Sequence, residues 1–103
     1  MISVVYSTVA TLEEAKKIAY ELIASHLVAC VNIIPKIESI YRWQGKIEQS
    51  NEVLLLAKTT DKKVHQAITK IKQLHSYEVP DIISIPITTG LQEYLTYVKD
   101  ETQ

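Results

Sequence analysis

Two runs in this chain, Leu27-Val28-Ala29-Cys30-Val31 and Val53-Leu54-Leu55-Leu56-Ala57, are apolar at every position. A strand with one face on a core and the other in water alternates apolar and polar side chains instead. Such runs call for a sheet covered on both faces, and a chain of 103 residues has little material for two covers. The length allows one domain, residues 1–103.

Only two glycines and three prolines interrupt the sequence, so most of it is expected to be regular structure. Ile2 to Thr8, rich in Val, Ile and Tyr, reads as a first strand. Thr11 and Glu14 have the spacing of a capping box. Leu12, Ala15, Ile18, Ala19, Leu22 and Ile23 then recur at helical intervals, and the helix is expected to end near Ser25-His26. An extended segment runs from Leu27 to Arg42, with a bulge or edge position expected at Pro35. Trp43-Gln44-Gly45-Lys46 is the turn, with Gly45 free to take positive φ. The partner strand covers Ile47 to Thr59. Asp61 to His75 carries Val64, Ala67, Ile68, Ile71 and Leu74 on one stripe, which predicts a second helix. Ile82 to Ile87 is the fourth strand, and Pro86 marks it as an edge or a bulge. Thr89 and Gln92 repeat the capping-box spacing before a short last helix with Leu91, Tyr94, Leu95 and Val98. The order β-α-β-β-α-β plus a terminal helix predicts the split-βαβ, ferredoxin-like α+β fold with a four-stranded antiparallel sheet.

Two helices cover one face of that sheet. The last helix, of about ten residues, is too short for the other face, because the central hairpin has arms of about thirteen residues, or ~40 Å. Strands usually run about five or six residues. The expectation is a homo-oligomer, with open faces packed together and hairpin ends pairing with neighbouring chains, an interface resembling a domain core cut in half.

Eleven Lys and Arg against twelve Asp and Glu give a net charge of -1, so nucleic acid is not an expected partner. Arg42 is the sole arginine, which also weakens bidentate phosphate or guanine recognition. One cysteine, Cys30, excludes an internal disulfide. Met1 to Tyr6 lacks the pattern of a signal peptide, and no apolar run is long enough to span a bilayer, so a cytoplasmic protein without membrane association is expected. An RNA-binding module of this topology needs base-stacking aromatics on its central strands, but Glu52-Val53-Leu54-Leu55-Leu56-Ala57 has none. An acylphosphatase-like enzyme needs an anion-cradling loop with an arginine after the first strand, and Thr8 to Leu12 has neither arginine nor glycine.

A metal site needs Cys, His or carboxylates converging on one point, yet no Cys-x-x-Cys or His-x-x-x-His occurs. Cys30 is the softest ligand available, in an apolar strand where a free cysteine also packs as a small hydrophobe. His75 closes the second helix beside Ser76-Tyr77; it reads either as a ligand facing a cleft or another subunit, or as a capping group. His26 and His65 read as surface positions. Glu52 and Lys58, six apart on an apolar strand, share a face. They form either an ion pair between subunits or, with His75 and Tyr77, a pocket for a small ion. Tyr41 and Trp43 are placed to lock the hairpin onto a neighbour, which puts Trp43 at the same inter-subunit pocket.

Ser25-His26-Leu27-Val28-Ala29-Cys30-Val31-Asn32-Ile33 and Tyr41-Arg42-Trp43-Gln44-Gly45-Lys46-Ile47-Glu48 resemble the CutA proteins, called divalent-cation tolerance proteins. Glu52-Val53, Leu56-Ala57-Lys58-Thr59, His75-Ser76-Tyr77-Glu78-Val79-Pro80-Asp81-Ile82 and Tyr94-Leu95 extend the likeness in order over nearly the whole chain. The resemblance implies a ferredoxin-like subunit in a tight trimer similar to PII signalling proteins. It also implies a cytoplasmic, non-enzymatic role in tolerance of copper and other divalent cations. Relatives proposed to bind copper have a cysteine at the end of the first strand and two histidines before the tyrosine; this chain has Ser7 and Leu74-His75 there. Of that set only His75 remains, so any copper site here is expected to be weak or built from several subunits, with copies of His75 or of Cys30 converging as metal ligands. The other readings are a ligand-sensing trimer of PII type and a scaffold with incidental metal binding.

Overall fold

The computed structural model describes residues 1–103. Strand β1 (Ile2–Val9) is followed by α1 (Leu12–Ala24), the hairpin strands β2 (Cys30–Trp43) and β3 (Lys46–Thr60), α2 (Val64–Leu74), β4 (Ile82–Pro86) and α3 (Gln92–Glu101). The sheet has the order β2-β3-β1-β4 with every neighbour antiparallel, as expected of the split-βαβ arrangement.

Alternation along the central strands decides what each face meets. Val5, Val9, Val53, Leu55 and Ala57 join Ala15, Ile18 and Leu22 of α1 and Val64, Ala67 and Ile71 of α2 in one buried cluster. The intervening side chains point to the opposite face. There α3 covers one end, packing Val98 against Ile2 and Ala29. The rest stays open, with Ile34, Ile83 and Ile85 among its exposed residues. Beyond the helices the hairpin continues as a bare two-stranded ribbon, and Ile40 and Ile47 are 71% and 72% exposed there. No helix is long and apolar enough to cross a membrane.

Three boundaries differ from the sequence reading by more than a single residue. Strand β2 starts at Cys30 rather than Leu27. The reason is the end of α1, where His26 takes φ 60 and its N–H, with that of Leu27, returns to the carbonyls of Ile23 and Leu22. Val28 is thereby buried in the core as part of a connection. The segment Asp61–Lys63 is a 3₁₀ turn preceding α2. Thr89 does not cap α3: the cap residue is Leu91, which makes no side-chain bond, and Gln92 donates to Thr96 instead. The first capping position does form, with the Glu14 N–H donating to Thr11 Oγ1 at 3.1 Å.

Pro35 lies at a bulge. The register jumps from Ile34 opposite Leu54 to Ile37 opposite Glu52, and Lys36 adopts φ 61. At the ribbon tip Gln44 and Gly45 take φ 50 and 80, the paired positive values of a type I′ turn. Pro86 sits on the edge strand β4, where a missing N–H costs no ladder bond.

Candidate functional site

The residues singled out from the sequence fall into three separate places. The first is the end of α2. The His75 imidazole has no exposed surface. Its Nδ1 accepts the Tyr77 N–H at 3.1 Å, so the proton sits on Nε2, which donates to the Thr8 carbonyl at 2.8 Å. Both ring nitrogens are thus engaged, and a metal ion at either would displace a protein bond. Glu14 lies 3.6 Å from Nδ1, and its carboxylate accepts both the N–H and the hydroxyl of Ser76 at 2.9 Å. Glu14, in the first turn of α1, therefore also ties down the loop after α2. Ser7, next to the Thr8 that His75 holds, is buried and its hydroxyl has no partner.

The second place is on the open face of the sheet. Cys30 stands opposite Lys58, and the Lys58 ammonium lies 3.7 Å from its sulfur while also bonding the Asn32 amide oxygen. Tyr94 of α3 adjoins this cluster. Desolvation first, and then the Cys30 thiol beside it, raise its hydroxyl above the ordinary phenol range. Lys58 faces Val4 across the ladder, whereas Thr8 lies four residues further along β1, ~13 Å away. Cys30 and His75 accordingly do not share a site.

The third place is a groove of about 720 Å³ that runs along the ribbon beside the loop from Tyr77 to Asp81. Five carboxylates line it: Glu38, Glu48, Glu52, Glu78 and Asp81. Tyr6, Tyr41, Trp43 and Tyr77 supply aromatic walls, and no lysine, arginine or histidine takes part. Glu52 is buried, and its Oε2 accepts the Tyr77 hydroxyl at 2.7 Å. Burial first, and then that bond to Glu52, push the Tyr77 hydroxyl well above its ordinary value. Asp81 is raised as well, by desolvation and then by the Glu52 charge.

Of the residues grouped from the sequence, Glu52, Tyr77 and Trp43 line this groove; Glu52 and Tyr77 touch, while Trp43 lies six residues along β2 from Ile37, the partner of Glu52. Lys58 does not; although it shares a face with Glu52, six residues of strand separate them by ~20 Å. His26 and His65 are exposed. Tyr6, Glu38, Glu48 and Glu78 were not singled out from the sequence. They come from β1, β2, β3 and the loop after α2, which only the tertiary fold brings together, and alternation along β1 was the one available signal, for Tyr6. His75, Cys30 and the carboxylates do not bring three metal-ligating groups to one point.

The family model of the CutA1 divalent ion tolerance protein matches residues 3–101. The chain belongs to the CutA family. It is 44% identical over 102 residues to the divalent-cation tolerance protein CutA of Thermus thermophilus, covering 99% of both chains. Among solved structures, CutA from Xylella fastidiosa superposes with a TM-score of 0.96 at 40% identity, covering 99% of this chain and 98% of that one. A PII-like CutA from Nostoc sp. in apo form gives a TM-score of 0.90 at 33% identity over 98% and 97% of the two chains. Some CutA relatives are longer, and the chain spans 55% of the chloroplastic protein of Arabidopsis thaliana. The family is one of divalent-cation tolerance with a PII-like fold.

Proposed function

We propose that this CutA chain works as a cytoplasmic homotrimer that takes up copper or another divalent cation without catalysing a reaction, at a site completed between subunits. The observation that carries this reading is the state of the candidate ligands. His75 spends both nitrogens inside the chain, while Cys30, the one thiol, lies on the open sheet face where a neighbour would pack. Thiolate favours Cu(I), and copies of Cys30 meeting across an interface would supply the convergence that one chain lacks. The exposed apolar side chains of the ribbon and the two free sheet edges support assembly.

Native mass spectrometry of the reduced protein, with and without copper, tests this together with Cys30→Ala and His75→Ala. A trimer carrying whole-number copper that Cys30→Ala abolishes is the expected result. A monomer, or copper uptake indifferent to Cys30, overturns it. A second reading, a PII-like trimer that senses a small ligand, is favoured by the groove built around Glu52 and Tyr77.

A further inference from the structure

The bulge at Pro35-Lys36 sits where the architecture changes. On one side of β3, pairing with β2 continues to the tip of the ribbon. On the other side, pairing with β1 stops at Val53, the partner of Val9, which is the last residue of β1. Pro35 and Lys36 stand opposite that same Val53, between the pairs Ile34–Leu54 and Ile37–Glu52. The inserted residue therefore falls at the junction of the four-stranded sheet and the two-stranded ribbon. On the sheet side, Val31 and Ile33 of β2 pack against the main core. On the ribbon side, seven cross-strand pairs run without a break from Ile37–Glu52 to Trp43–Lys46.

Both residues hold the irregularity in place. Pro35 has no N–H to give to a regular ladder. Lys36 takes φ 61, the left-handed conformation that a residue with a Cβ adopts only at a cost. A bulge bends the strand that carries it and increases the local twist. The register and the faces do not depend on it: with one residue fewer, Ile34 still meets Leu54 and Ile37 still meets Glu52. What the bulge alone sets is the direction in which the ribbon leaves the sheet. Seven residues reach ~23 Å, so about 20° of bend at the base carries the tip ~8 Å. Side chains remain in contact over only about half that distance. Tyr41 and Trp43, opposite Glu48 and Lys46, ride on this arm.

No third strand supports the ribbon within the chain, and a two-stranded hairpin by itself is marginal in water. Its support has to come from a second copy. Identical subunits close into a ring only if the rotation from one copy to the next is right; otherwise the contact fails or propagates as an open chain.

We propose that the Pro35-Lys36 bulge is the device that sets this angle, aiming the ribbon with Tyr41 and Trp43 at a neighbouring copy so that the ring closes at three. The inference rests on the homotrimer reading and is independent of copper uptake and of ligand sensing.

Oligomeric state is read by analytical ultracentrifugation and native mass spectrometry over a dilution series, with far-UV circular dichroism to follow folding. Deletion of Pro35 together with Lys36→Val gives a regular hairpin with the same pairs. The expected result is a folded chain whose half-assembly concentration rises by about a hundredfold or more, the loss of one or two anchoring aromatic contacts. It then runs as monomers or as open, polydisperse species. Lys36→Gly keeps the bulge and suits its φ, so it assembles as the parent does, within about twofold. Lys36→Val keeps the length but opposes the left-handed conformation, so it assembles severalfold more weakly. If the deletion variant does not fold, the comparison of Lys36→Gly with Lys36→Val decides, and equal assembly of the two overturns the proposal. A deletion variant that forms the parent's trimer at the parent's concentration overturns it as well, and the homotrimer reading then stands. A parent that is monomeric throughout removes both.

Discussion

Replacing His75 with alanine separates a structural histidine from a metal ligand, and its cost follows from the geometry. The substitution strips the Thr8 carbonyl, which is partly buried, of its 2.8 Å donor. An orphaned buried acceptor costs about 1–3 kcal/mol, so about 1.5 is reasonable here. The Tyr77 N–H loses its acceptor but lies at the surface, where water replaces it, and about 0.5 kcal/mol is assigned to that bond. The ring has no exposed surface and packs with its centroid 4.8 Å from that of Tyr77, so the void adds about 1 kcal/mol. The total is about 3 kcal/mol. With an unfolding entropy of about 2.1 cal/mol/K per residue, a chain of 103 residues loses ~14 °C in Tm. Thermal and urea unfolding at equal protomer concentration, without metal, measure it; the concentration must be held because assembly shifts apparent stability. A loss below about 1 kcal/mol would refute the bonding scheme, and a histidine free to bind a metal would follow.

Two further predictions address backbone and charge. His26 ends α1 at φ 60, a left-handed conformation costing a residue with a Cβ about 1 kcal/mol. His26→Gly removes that cost, offset partly by glycine's freer unfolded chain, so a rise of about 0.5 kcal/mol, ~2 °C in Tm, is expected. An unchanged or lower Tm would sink the claim of strain. Asp81 has its carboxyl raised by desolvation and by Glu52, so its ionised form disfavours the fold. The stabilising, protonated form is fully present below the ordinary aspartate value, and its benefit is lost as pH rises through the raised folded value. Asp81→Asn should therefore unfold at higher urea than the parent at pH 7, and the gap should close toward pH 3. A gap that persists at low pH contradicts this origin.

Much of the fold was legible in local pattern. The stripe of Ala15, Ile18 and Leu22 specified α1, and Pro35 announced the bulge, since a proline in a paired strand cannot donate to the ladder. Where the reading slipped, the way a helix ends or begins had overruled the residue pattern. Leu27 and Val28 look like strand but are drawn under α1 by the carbonyl of Leu22. Thr89 has capping spacing, yet α3 begins after Leu91.

The sites divide in the same way. That His75, Tyr77, Glu52 and Trp43 matter was visible in the motifs holding them, because those motifs are contiguous. Their roles were not. His75 became a tie between α2 and β1 only when the fold set its ring against Thr8, 67 residues away. Glu52 became a buried, uncompensated charge only when the Tyr77 loop closed over it and left Lys58 with Cys30 and Asn32. Periodicity and capping act within a few residues, so the chain by itself determined its elements and their order. Hydrogen bonds and charge depend on what stands opposite, so only the tertiary structure decided which side chain is a brace and which carboxylates lie together along one groove.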